Sequence, residues 1–151
     1  MSSRPSRIAL VAALALCGAL AHAQSSPVGV WKTIDDATKK EKSLIRITES
    51  GGVLTGKLEK LLDPATPADA VCKECSDDRK DKPIVGMTII RNVKASADDK
   101  SVFEGGDILD PNNGKVYRVR LKPIDNGAKL EVRGYIGTPF LGRTQTWIRV
   151  E

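Results

Sequence analysis

The feature that most limits how this chain can fold is a period of two. Ile45 and Ile47 alternate with Arg46 and Thr48, and after Gly51-Gly52 the beat resumes with Leu54, Gly56 and Leu58 against Thr55, Lys57 and Glu59. Successive side chains of an extended strand point to opposite faces, so each run is a strand with one dry and one wet face. The pattern returns in Tyr117, Val119 and Leu121 against Arg118, Arg120 and Lys122, and in Leu130, Val132, Gly134 and Ile136 against Glu131, Arg133 and Tyr135. Residues 84–93, 101–109 and 140–150 add three further strand-like runs. Turn formers separate them: Asp110-Pro111-Asn112-Asn113-Gly114, residues 123–127, and Gly137-Thr138-Pro139. With the opening run before Ile34, the expectation is about eight strands at hairpin spacing and no long amphipathic helix.

An open sheet of this kind leaves two sticky edges, and the ends of the chain suggest how they are removed. Gly29-x-Trp31 sits on the first strand, and Trp147 and Arg149 sit on the last. The Gly lets the chain pass close, the Trp closes a floor, and one of the late residues lies against it, which seals the sheet into a cylinder. Glycines at 56, 105, 106, 134 and 142 suit the corners of a strongly coiled sheet. The fold class expected is therefore all-β, a small antiparallel eight-stranded barrel of one domain over residues 24–151. Eight strands enclose space for side chains or for one small ligand. With two Trp, two Tyr and two Phe in all, Val, Ile and Leu must do most of the filling. Residues 63–83 are the longest stretch without strand character, with a short helix expected at 67–71; so long a loop in a compact domain is functional or pinned.

Residues 1–23 read as an export leader: Arg4 and Arg7, an apolar run over 8–20, then Ala21-His22-Ala23 as a small-x-small cut site. The run is too short to span a bilayer, so no transmembrane segment is expected. Acylation at Cys17 is the competing reading, but Leu16 stands where lipoprotein cleavage wants a small side chain. A cut near Ala23 implies a periplasmic or secreted protein. It removes Arg4, Arg7, Cys17 and the single histidine, His22, so that of 24 basic residues 22 remain against 19 acidic ones and the net charge falls from +5 to +3. A charge this mild, in that compartment, excludes nucleic acid as a partner.

The order of motifs carries a resemblance. Gly29-x-Trp31, Cys72-x-x-Cys75, Gly105-Gly106-x-Ile108-Leu109-Asp110-Pro111 with Gly114-Lys115-x-Tyr117, and Arg133-Gly134-Tyr135-Ile136-Gly137 with Gly142-Arg143-Thr144-x-x-Trp147 resemble the exported bacterial family known as domain of unknown function 2147. That family implies no activity and no catalytic residues. Gly-x-Trp with the late Arg149 is also similar to the lipocalin pattern, in which a floor Trp packs under an Arg from the final strand. The chain is shorter than ordinary lipocalins and lacks a clear helix after the last strand.

Without histidine the processed chain cannot build a Ser-His or Cys-His pair or a histidine-ligated metal site, so no catalytic residue, metal or cofactor is expected. Cys72 and Cys75, in an oxidising compartment, are expected to form a small structural disulfide. A metal site would need Glu74, Asp77, Asp78 or Asp81 as further ligands, and a redox pair would need a helix N-terminus and a βαβ setting that the pattern lacks. Asp107, Asp110 and Asn112 do not match a calcium loop and read as turn residues. Arg118, Arg120, Lys122 and Arg133 line the wet face of two adjacent strands, either as a solvated exterior or as a site for anionic envelope lipid, sugar or an acidic partner. Tyr117, Tyr135, Arg143 and Gln145 are the candidates for ligand contact. Alternation puts Arg143, Gln145, Trp147 and Arg149 on one face, yet Ile148 and Val150 claim the lumen for the other. The functional expectation is a monomeric binding protein for a small amphipathic ligand, with an envelope-protein-binding module as the alternative, and not an enzyme.

Overall fold

A computed structural model describes residues 25–151. The expected leader, with Cys17 and His22, lies outside the described residues. Eight strands follow one another: β1 (Gly29–Ile34), β2 (Glu41–Ser50), β3 (Val53–Leu61), β4 (Thr88–Ala95), β5 (Phe103–Asp110), β6 (Lys115–Ile124), β7 (Lys129–Tyr135) and β8 (Arg143–Arg149). Each pairs antiparallel with the next, and β8 returns to β1 with Trp31 opposite Arg149, so the sheet is a closed barrel. The all-β, antiparallel eight-stranded barrel expected from the alternation is present.

Several boundaries differ from the sequence pattern. No helix forms over 67–71: the Ala70 amide donates to the Pro67 carbonyl in a single turn, and Val71 is drawn into an isolated bridge with Pro83. The strand expected from residue 84 starts at Thr88, because the Gly86 amide is held by the Leu58 carbonyl and the Met87 amide by that of Ile84. The last strand starts at Arg143 rather than at 140, since Pro139–Leu141 forms a 3-10 turn, and Gly142 therefore lies outside a strand. Pro123 stands inside β6 rather than in a turn. Opposite Leu130 on one side, it lies beyond the last β5 partner, Leu121 with Phe103, so its missing N–H interrupts no ladder bond.

The dry faces meet at one end of the barrel. Trp31, Ile47, Leu54, Ile90, Val93, Val119, Leu121 and Leu130 are all at most 1 % exposed. Gly56 makes room among them: a Cβ there would stand 2.8 Å from Ile90 Cδ1. Below this layer Arg149 lies over the Trp31 ring, its guanidinium carbon 4.1 Å from the centroid. The same guanidinium donates to the carbonyls of Gly127, Val28 (2.8 Å) and Ser26 (2.7 Å), while Trp31 Nε1 donates to the Pro27 carbonyl at 2.7 Å. Burial pulls the Arg149 pKa below its ordinary value, but a guanidinium keeps its charge in proteins, so the carbonyls are satisfied by a full cation. Gly29 is required here: at φ +140° a Cβ would sit 2.4 Å from the Glu151 carbonyl oxygen and 2.5 Å from the Arg149 guanidinium. The wet faces carry ion pairs such as Arg46–Glu59 and Arg120–Glu104.

Candidate functional site

At the opposite end the barrel is not filled. A cavity of about 540 Å³ opens there, walled by Ile45, Leu58, Ile84, Ile89, Ile108, Leu109, Val132 and Trp147. None of the eight packed residues of the closed end borders it. Two hydroxyls in its wall satisfy each other, Thr33 Oγ1 and Ser43 Oγ being 2.8 Å apart. Its mouth is ringed by the loops of residues 35–40, 62–87, 111–114 and 136–142.

Gln145 and Trp147 share the inward face of β8, which the alternation had left open. Trp147 is 3 % exposed, and its Nε1 donates to Gln145 Oε1 at 3.1 Å. Gln145 Nε2 in turn donates to Asp36 Oδ2 at 3.5 Å, and Asp36 also pairs with Arg143 at the rim. The Arg143 side chain keeps 71 % of its surface in water. Tyr117 borders the cavity from β6, its hydroxyl accepting from Asn113 Nδ2 at 3.4 Å. Tyr135 sits on the outer face beside Arg133, since a Cβ on Gly142 would meet Tyr135 Cβ at 3.0 Å and Arg133 Nε at 3.1 Å, and it touches only the mouth. Tyr117, Arg143 and Gln145 are thus brought together around one opening, with Tyr135 at its border. Trp147 belongs to this cavity, and the contact with the floor Trp31 is made by Arg149.

The long loop is pinned on every side. Cys72 and Cys75 form a disulfide. Their neighbour Arg79, 4 % exposed, is gripped by both Asp77 carboxylate oxygens and donates to the Thr88 carbonyl at 3.0 Å. The Arg79 guanidinium holds the Asp77 carboxyl down, at a pKa of about 2. Asp78 pairs with Arg91 of β4 at 3.0 Å, and Lys42 with Asp63 at 3.0 Å. Gly114 lets the β5–β6 turn press against this loop: its φ is +70°, and a Cβ there would overlap the Glu74 carbonyl at 1.9 Å. Asp110 and Asn113 serve that turn, accepting from the amides of Asn112 and Lys115. The first loop is closed by Asp35, whose carboxylate is held below the usual range by the Thr38 amide and hydroxyl, then by the Ala37 amide. Among the described residues no three His, Cys, Asp or Glu side chains converge as metal ligands.

Sequence reasoning missed Asp36 and Ile84 at the cavity and Arg79 in the long loop. A polar run before β2 contains nothing to single out Asp36, and Arg79 stands in an acid-rich stretch that reads as solvated. The basic outer strip is in place, with Arg118, Arg120 and Lys122 opposite Tyr135, Arg133 and Glu131. Three of its cations are engaged within the chain: Arg118 with the Gly105 carbonyl, Arg120 with Glu104, and Arg133 with the Pro139 carbonyl and the Thr144 hydroxyl.

The sequence profile of a family described as "Uncharacterized protein conserved in bacteria (DUF2147)" matches residues 29–149. Among solved structures, protein HP1028 from Helicobacter pylori, described as belonging to the lipocalin family, superimposes with a TM-score of 0.70 at 22 % identity, covering 83 % of this chain and 84 % of that one. At that identity the likeness speaks for the fold alone. No curated protein matches the chain.

Proposed function

Since the chain belongs to the bacterial family DUF2147 and is built as a lipocalin-like barrel, we propose that it is an exported binding protein whose lumen holds one small amphipathic, lipid-like molecule, and that it catalyses nothing. The observation that carries this reading is the open end of the barrel: a cavity of about 540 Å³ with apolar depth and a polar, charged rim. Its volume falls in the range of small-molecule sites. An apolar tail fits among Ile45, Leu58, Ile108 and Val132, and a head group meets Arg143, Gln145 and Tyr117 at the mouth. Residues 25–151 contain no histidine, which supports binding rather than acid–base chemistry. Export rests on the leader pattern, and the N-terminal mass of the secreted protein should correspond to a cut near Ala23.

The test is a series of single-tailed amphiphiles of increasing chain length, displacing an environment-sensitive fluorescent probe. About 0.8 kcal/mol per buried methylene gives roughly fourfold tighter binding per carbon, with a plateau once the tail meets the packed layer. Val132→Phe, which fills the wall, should remove binding while circular dichroism stays that of a folded barrel. Equal affinity of wild type and Val132→Phe, or no chain-length dependence, would overturn the reading.

A further inference from the structure

The β7–β8 connection exposes what a surface loop ordinarily hides. Ile136, Phe140 and Leu141 are 65 %, 93 % and 81 % exposed, and they stand together beside the cavity, Ile136 and Leu141 at its mouth. Isolated apolar residues on a surface need no explanation, but three in one tip do. The tip is held in this shape. Arg133 donates to the Pro139 carbonyl at 2.6 Å, to the Thr144 hydroxyl at 2.7 Å and to the Phe140 carbonyl at 3.5 Å, and the Leu141 amide closes a turn on the Thr138 carbonyl at 3.2 Å. These bonds fix the backbone while the Phe140 and Leu141 side chains stay in solvent. No acidic residue stands between Glu131 and Glu151 in the sequence, and Arg143 beside the tip, though paired with Asp36, keeps 71 % of its side chain in water.

We propose that this tip docks on a lipid surface, with Phe140 and Leu141 entering the boundary between head groups and acyl chains and Arg143 beside anionic head groups. A convex tip of three apolar side chains is far smaller than the roughly 800 Å² per partner of a stable protein interface, yet a few apolar groups with neighbouring cations are what reversible membrane association uses. The tip borders the cavity mouth, so docking turns the opening toward the bilayer, and an amphiphile passes between membrane and lumen without crossing water. That transfer role rests on the cavity reading; the docking does not.

The experiment compares the wild-type processed protein with F140S/L141S by flotation on vesicles of phosphatidylethanolamine and phosphatidylglycerol. Both side chains are exposed, so the variant keeps its fold, checked by circular dichroism. Wild type should float, and the variant should partition on the order of tenfold or more weaker. R143Q should lose less, and only on vesicles containing phosphatidylglycerol. A wild type that stays in solution, or a variant that floats equally well, would overturn the proposal. So would sedimentation showing that the tip mediates self-association while vesicle binding is unchanged. Transfer of a fluorescent fatty acid from vesicles should slow in F140S, whose altered side chain does not line the cavity, while its uptake from solution is unaltered. If neither protein takes up the probe but only wild type floats, docking stands and the cavity reading fails.

Discussion

The two ends of this barrel are made by the same strands to opposite specifications. At the closed end Trp31 of β1 and Arg149 of β8 meet face to face, and each polar atom is bound to a carbonyl. Four residues before Arg149 on the same face of β8, Gln145 lines an open cavity, and Arg143 beyond it is mostly in water. Alternation supplies the inward face at both ends, and side-chain volume decides the rest. At the floor, Trp, Ile, Leu and Val fill the cylinder; at the mouth, Thr33, Ser43 and Gly134 leave it unfilled. A barrel can keep one end unpacked because the other holds the strands in register, as native stability is a small surplus that a dense half-core can supply.

That division of labour is best broken at the floor. Trp31→Ala should cost about 3–5 kcal/mol, read as a lower midpoint in denaturant unfolding, because a fully buried indole leaves a void that the closed end cannot collapse. A smaller loss would mean that the mouth shares the structural burden. Arg149→Leu should cost about 2–3 kcal/mol by stranding the carbonyls of Ser26, Val28 and Gly127. Lysine at that position should rescue little, since it lacks the planar fork.

At the mouth the effects should be smaller and local. Replacing both Cys72 and Cys75 with Ser should cost about 2 kcal/mol by the loop-closure relation for so short a ring. Hydrogen exchange should then quicken in residues 62–87 and leave β1 and β8 protected; uniform quickening would show that the two ends are one cooperative unit. The smallest effect is on acidification. Asp77 has a folded pKa depressed from 3.8 to about 2, so its contribution is whole above pH 4 and is lost as pH falls through 2. Proteolysis by an acid-stable protease should reveal cleavage near Arg79 rising across that window. The floor should not respond through Arg149, whose acceptors are carbonyls that do not titrate.

Much of this was legible from residues alone. Gly29 and Trp31 announce the closure, with Trp147 and Arg149 as rival partners of which only Arg149 covers Trp31, and period two with turn residues marks the strands to within a few positions. The errors cluster where partners distant in sequence override local pattern: Gly86 recruited by Leu58, Pro139–Leu141 wound into a turn under Arg133, Pro123 tolerated because β5 ends before it. Of the site, Tyr117, Arg143 and Gln145 were visible as candidates. Their common opening was not, because Asp36, which joins two of them, has no signal of its own.

Chain order and composition determined the class of fold and the disulfide, since each depends on periodicity, turn chemistry or near neighbours. Only the tertiary structure decided that a cavity opens at one end of the lumen, which face of β8 looks into it, and that Arg149 rather than Trp147 covers Trp31. An unfilled volume is what remains between an enclosure and the side chains within it, and the enclosure depends on contacts such as Arg149 with Val28, 121 residues apart. No local pattern encodes that remainder.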